Sequence, residues 1–338
     1  MTVGGHLVVR GPDDPGTLAL ATAVVDAALQ GPRWSAVSVL VESASARLLS
    51  GVSWAERVCV IEAGEAEAWH ALEADAALLL SASPAAAWGA FRARVPRRAG
   101  VAGGLRGALL THGLLPPVHA RRRLPLPPIH LQRDLAGLLD IQVGARPPRL
   151  RASADGTLGA VECLGRAGLS AGTPYALGWP EAERAGVHSR PAATIAAALE
   201  RLEAESGLAG VVLADASASA GPDLDAVKLD PAAVARVPVG SDLELTVALI
   251  AGASLVLAEG EGARWIAAAL DVPCVRLPLP DARPSPAGFP ERARIVRPDD
   301  PPRASASAAR RGGRAPGGTL AAVVDAALEL LAAEERAS

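Results

Sequence analysis

The chain has 338 residues, with 33 basic against 36 acidic side chains for a net charge of −3, and half of it is hydrophobic although it holds only six Trp, two Phe and one Tyr. A core built from Ala, Leu and Val on this scale excludes a disordered chain. The charge balance provides no global basic field for nucleic-acid phosphates or acidic lipid and leaves room only for a local basic patch.

His6 to Arg10 (HLVVR) reads as a first strand, Gly11 to Gly16 as a loop carrying Pro12 and Pro15, and Thr17 to Gln30 as a helix. Val37 to Val41 is the next strand, Ser43 to Leu49 a short helix, Arg57 to Ile61 a third strand and Ala66 to Glu73 a helix. Ala76 to Leu80 is a buried strand before a helix from Pro84 to Arg94. Short apolar runs alternating with Ala-rich helical stretches indicate a parallel sheet covered by helices.

Between Gly113 and Pro128 the sequence turns to Pro and Arg, Ile129 to Leu139 resumes a helical period, and Arg146-Pro-Pro-Arg-Leu150 breaks it again. This punctuation predicts a linker near residues 143 to 155, and so an N-terminal domain at 1–150 and a C-terminal domain at 151–338. The second half repeats the rhythm. Its strands are Tyr175 to Leu177, Gly210 to Ala214, Ser254 to Ala258 and Cys274 to Leu277, and its helices are Ala192 to Ser206, Asp242 to Ala251 and Gly262 to Leu270. Pro278 to Arg314 reads as irregular, and a last Ala-rich helix, Thr319 to Glu334, is predicted to cross toward the first domain. Two α/β halves of this kind place a ligand beyond the carboxyl ends of their strands.

Several chemistries are absent from the sequence. The cysteines (Cys59, Cys163, Cys274) are about a hundred residues apart, which suits small buried hydrophobes better than a zinc site or disulfides. No G-x-G-x-x-G follows the first strand, no G-x-S-x-G appears, and the six histidines form no H-E-x-x-H, so a dinucleotide oxidoreductase, a serine hydrolase and a metal centre are disfavoured. The apolar stretch at the N-terminus is too short for a signal peptide, and the longest uncharged apolar run, Leu245 to Ala258, falls short of the roughly 18 to 20 residues that span a bilayer. The expectation is a soluble, cytoplasmic protein without a nucleic-acid partner and with at most peripheral membrane contact.

Four segments, in order, resemble the ADP-heptose lipopolysaccharide heptosyltransferases of glycosyltransferase family 9. HLVVRGPDDPGTLALATAVVDAAL is similar to that family's first strand, loop and helix. AGVAGGLRGALLTHGLLPP resembles the segment in which the family has a strand and an LLTH-like run, and IHLQRDLAGLLDI the helix near the end of its first domain. DLELTVALIAGASLVLAEGEGARWIAAALDVPCVRL resembles its helix, strand, D-T-G-P-x-H loop, helix and strand. The resemblance implies an α/β fold of two Rossmann-like domains with parallel sheets facing a central cleft (GT-B). It also implies transfer of a sugar from an ADP-linked or similar nucleotide-sugar donor to a glycan or lipid-glycan acceptor, with no further cofactor. The sequence gives neither the donor sugar nor the oligomeric state.

The site residues implied by the resemblance have drifted. The family's first loop carries the catalytic base as Gly-Asp; here those positions are Pro15-Gly16, and the nearest carboxylates are Asp13 and Asp14. Either one supplies the base or both belong to a turn that caps the following helix. In the second domain Gly260-Glu261 replaces Asp-Thr, and Gly262, Ala263 and Arg264 follow at a helix start suited to a diphosphate. His188 and Arg190 align with a Lys-x-Trp-Pro element, and Asp215 is the polar group of a loop that reads the nucleoside. Arg121, Arg122 and Arg123 stand where an anionic acceptor would lie. The alternative to a divergent transferase is a GT-B protein that lost transfer and serves as a binding or assembly scaffold.

Overall fold

The computed structural model describes residues 4–62, 64–115, 118–119, 122–123, 127–180, 190–214, 234–238, 242–277, 292–296 and 317–336. The chain divides between Leu150 and Arg151 into two compact units. The first contains β1 (Gly5–Arg10), α1 (Pro15–Gln30), β2 (Trp34–Glu42), α2 (Ser43–Ala46), β3 (Val58–Ile61), α3 (Glu65–Leu72), β4 (Ala76–Leu79), α4 (Pro84–Arg92), β5 (Arg97–Val101), β6 (His112–Leu114), the short β7 (Val118–His119) and β8 (Arg122–Arg123), and α5 (Pro128–Gly137). A 3-10 turn, Gly104–Leu109, connects β5 to β6. The second unit contains α6 (Ala154–Arg166), β9 (Tyr175–Trp179), α7 (Arg190–Ser206), β10 (Ala209–Ala214), β11 (Val234–Pro238), α8 (Leu243–Ala251), β12 (Leu255–Ala258), α9 (Glu261–Ala269), β13 (Cys274–Arg276), β14 (Ala293–Ile295) and α10 (Gly317–Glu335).

Each unit holds a six-stranded parallel sheet, ordered β3-β2-β1-β4-β5-β6 in the first and β11-β10-β9-β12-β13-β14 in the second. The same order therefore occurs twice, and in each sheet the winding direction reverses beside the first strand, at β1/β4 and at β9/β12. Central strands such as β4 and β12 are buried along their whole length, which is why they read as continuous apolar runs and not as alternating ones.

Helix starts are set by their caps. Asp14, Ser83, Ser153 and Asp242 each accept a hydrogen bond from a backbone N–H of the first turn of α1, α4, α6 and α8. Pro15 and Pro84 stand in the first turn of α1 and α4, where no N–H is needed. On one face of the first sheet, Val8, Leu40, Ala77 and Leu79 pack under Trp69 of α3 and Ala87 and Ala90 of α4. Trp69 is fully buried, and α4 comes so close to it that a Cβ on Gly89 would lie 2.6 Å from its ring.

Some elements were not anticipated. β5 begins Arg97-Arg98, and its basic start masks a strand whose first guanidinium lies over the Trp34 ring at 5.0 Å. α6 carries Gly156, Gly159 and Gly165, a composition that argues against a helix. Gly156 is there because a Cβ would meet the Glu244 carbonyl of α8 at 3.0 Å. The terminal helix α10 packs on α7 and β13, with Val323, Val324 and Ala327 in the core of its own unit.

Tyr175, at the start of β9, is the only tyrosine of the chain. Its hydroxyl donates to the Leu249 carbonyl of α8 at 2.5 Å, and burial pushes its pKa up to about 12. A phenol whose folded pKa lies above its unfolded value of about 10 contributes stability that is complete below the unfolded value and is lost as pH rises through the folded one. Stability should therefore fall between about pH 10 and 12. Tyr175→Phe should lose about 1 kcal/mol at neutral pH and show a flatter alkaline fall, as read by urea unfolding alongside tyrosinate absorbance.

Candidate active site

The first strand ends on a charged residue that points inward. Arg10 is 0% exposed, and its guanidinium is surrounded by three carboxylates. Nε donates to Glu65 Oε1 at 2.8 Å, and Nη2 donates to Asp13 Oδ1 at 2.9 Å and to Glu42 Oε1 at 2.8 Å. Nη1 donates to the Gly11 carbonyl at 2.6 Å. Burying a cation costs several kcal/mol unless its donors are met, and here all three nitrogens donate.

Asp13 is the link between this cluster and the neighbouring strand. Its other oxygen, Oδ2, accepts from Ser81 Oγ at 2.9 Å, just beyond the end of β4. Arg106 donates to the Ser81 and Val101 carbonyls, closing the β4–β5 side, and burial pulls its pKa below the usual range. Asp13 is thus held from both sides of the β1/β4 reversal point, yet its side chain remains 51% exposed. Asp14 has a different place: Oδ1 accepts from the Thr17 N–H at 2.8 Å, and the residue is the N-cap of α1.

In the second unit the corresponding end of the sheet carries an Arg264–Glu261–Arg276 arrangement, with Glu259 buried nearby in the chain. Glu259 and Gly260 follow β12, and the Glu259 N–H donates to the Trp179 carbonyl at the end of β9. Glu261 opens α9, with Oε1 2.6 Å from Arg276 Nη1 and Oε2 3.2 Å from Arg264 Nη2. Arg264, Arg276 and Glu259 are buried. Two guanidiniums pair with Glu261, so it does not leave an unneutralised charge at the helix start. Gly260 provides no side-chain cap, unlike Asp14, Ser83, Ser153 and Asp242 in their helices. The sequence placed Gly262, Ala263 and Arg264 at a helix start, and they occupy the first turn of α9; Ala263 and Arg264 are buried and Gly262 half-buried.

Arg190 opens α7 and Arg122 and Arg123 form β8, whereas His188, Asp215 and Arg121 lie outside the described residues. Glu42, Glu65 and Ser81 in the first unit, and Glu259 and Arg276 in the second, were not singled out in the sequence. Their shared signal is position, since each follows or ends an apolar strand or opens the next helix. Among the described residues no group of three or more His, Cys, Asp or Glu side chains is disposed to hold a metal ion. None of the described helices is long and apolar enough to cross a membrane.

The chain matches no protein-family model, and no curated protein matches it by sequence. Solved structures do match its fold. E. coli ADP-heptose lps heptosyltransferase II is 19% identical with a TM-score of 0.68, and the match covers 98% of this chain and 99% of that one. The glycosyl transferase family 9 protein from Veillonella parvula is 14% identical with a TM-score of 0.73 over the same shares. The E. coli heptosyltransferase WaaC with ADP-2-deoxy-2-fluoro heptose is 16% identical with a TM-score of 0.61, again covering 98% and 99%. The fold is that of the GT-B glycosyltransferases.

Replacing Arg10 with Met should destabilise the chain by about 3 kcal/mol at neutral pH, because three carboxylates would face one another without their common counter-ion. Urea unfolding of the two proteins at neutral pH measures the effect.

Proposed function

We propose that this protein is a glycosyltransferase that moves a sugar from a nucleotide-diphosphate donor, of the ADP-heptose kind, to a glycan or lipid-glycan acceptor such as a lipopolysaccharide core. The observation that carries the reading is the likeness of nearly the whole chain to heptosyltransferase structures, among them the E. coli WaaC structure with ADP-2-deoxy-2-fluoro heptose. The charged ends of both sheets add support, because α/β sheets bind ligands outside their carboxyl ends at the reversal point.

In this reading Asp13 is the general base. The acceptor hydroxyl gives its proton to the exposed carboxylate while its oxygen bonds to the anomeric carbon, and the bond from that carbon to the diphosphate oxygen breaks with its electron pair on the leaving nucleotide. Ser81 and Arg10 fix the carboxylate. Asp14 contributes by capping α1 and so holding the loop. The leaving diphosphate is taken by the backbone N–H groups of Glu261, Gly262 and Ala263, which carry the positive end of the α9 dipole. Arg264 and Arg276 keep Glu261 from repelling it and leave the Glu261 carboxylate to accept from sugar or ribose hydroxyls. Arg190, with His188 and Asp215, completes the donor side. The protein then works in the cytoplasm with no cofactor besides its donor.

The experiment is a transfer assay with ADP-heptose and a panel of other sugar nucleotides, run beside thermal shifts with the free nucleoside diphosphates. Asp13→Ala should reduce transfer by about 10²- to 10⁴-fold with nucleotide binding unchanged. Asp14→Ala should cost about 1 kcal/mol of stability and reduce transfer much less. Transfer that survives Asp13→Ala intact overturns the assignment of the base. A chain that binds no nucleotide and transfers no sugar is a scaffold, and the reading fails.

A further inference from the structure

The second unit has a cavity of about 820 Å³ at the amino ends of its strands, the end of the sheet opposite the start of α9. Pro174, Leu208, Ser254 and Pro273, each the residue just before a strand, line it together with the last two turns of α10. Its volume is in the range of small-organic-molecule sites, roughly 300 to 1,000 Å³. Leu270, Val272, Leu328 and Leu331 make its walls largely apolar, and the short side chains of Ala251, Ala253 and Ala332 leave the space between them unfilled.

The electrostatics of this cavity are one-sided. Four helices bring their carboxyl ends to it: Ser206 ends α7, Ala251 ends α8, Leu270 caps α9, and Glu334 and Glu335 close α10. None of the four has a basic residue in its last turn, where one would offset the negative end of the dipole, as Arg92 does in α4 and Arg166 in α6. The side chains add to this field. Asp271, Glu334 and Glu335 stand against one cation among the described lining residues, Arg292, which lies 3.3 Å from Asp271 and also pairs with Glu334.

We infer that this cavity is a binding site for an organic cation with an apolar body. The alkyl or aryl body lies against Val272, Leu328 and Leu331, and the charged head lies among the helix ends, near the exposed Asp271 and Glu335. An anion of the same shape meets four negative helix ends and an excess of carboxylates, and a neutral molecule gains only the apolar contacts. No aromatic ring is among the described lining residues, so the head is a primary or secondary ammonium, which donates to carbonyl oxygens, and not a quaternary one, which calls for ring faces. The site is at the far end of α9 from Glu261, and the inference does not depend on the transferase reading.

The test is isothermal titration calorimetry of the full-length chain with 4-phenylbutylamine, 4-phenylbutanol and 4-phenylbutyrate, which share one body and differ in the charge of the head. The amine should bind at least about tenfold more tightly than the alcohol, more weakly as salt rises, and the carboxylate should not bind. Ala332→Trp, which fills the cavity, should abolish amine binding. Asp271→Asn with Glu335→Gln should weaken it by about fivefold while leaving the alcohol unaffected. Asp271 has a φ of 60°, a left-handed conformation that Asn also tolerates, and Glu335 is exposed, so this double variant keeps the fold, which circular dichroism and the thermal midpoint check. The inference is overturned if the amine does not bind at millimolar concentration, if the alcohol or the carboxylate binds as tightly as the amine, or if the folded double variant binds the amine as the parent does.

Discussion

A guanidinium removed from water at the end of the first strand is the constraint on which the first unit depends. Arg10 sits among three carboxylates drawn from three places: Asp13 from the loop after β1, Glu42 from the end of β2 and Glu65 from the start of α3. None of these segments is near the others in sequence, so the buried cation ties the β1 loop to the rest of the sheet end. Desolvating it would be prohibitive alone, and leaving any one carboxylate beside the others without it would be nearly as costly. The conformation of the Asp13 loop is consequently not a matter of local turn preference. It is set by charge satisfaction across the sheet.

The second unit has the same strand order and a different solution. There the anchor is Glu261, one carboxylate held by two buried arginines from α9 and β13. The first arrangement surrounds a cation with anions and leaves two of them, Asp13 and Glu42, half in solvent. The second neutralises a helix start whose cap, Gly260, provides no side chain of its own. In the proposed transfer Asp13 would be the proton acceptor and the α9 start the anion-accepting helix end that displacement of a nucleoside diphosphate by a hydroxyl requires. The repeated topology supplies the two scaffolds, and the few charged residues at the strand ends make them chemically unlike.

The architecture was legible because parallel sheets covered on both faces produce uninterrupted apolar strands, and runs such as Leu255–Ala258 stand out even in an Ala-rich background. Helix starts were legible where a capping residue marked them, as at Asp242, which lies one residue before α8. Elements whose residues serve packing against a particular neighbour were not. Arg97 at the head of β5 reads as a loop residue until its ring partner Trp34 is known, and the glycines of α6 argue against a helix until α8 is set against them. The site was half legible for a similar reason. Asp13 and Asp14 are adjacent and indistinguishable by type, and only the Ser81 hydroxyl and the Thr17 N–H separate the half-exposed carboxylate from the cap. Glu42 and Glu65 are invisible in sequence because their partner lies 32 and 55 residues away.

In the proposed transfer the neutralised start of α9 receives the diphosphate of a nucleotide. The most direct measurement is a crystal structure of the protein grown with ADP at millimolar concentration. Diphosphate oxygens are expected within hydrogen-bond distance of the N–H groups of Glu261, Gly262 and Ala263, with the Arg264–Glu261–Arg276 arrangement intact beside them. A nucleotide seated elsewhere, or an α9 start that stays free of ligand under these conditions, would contradict it.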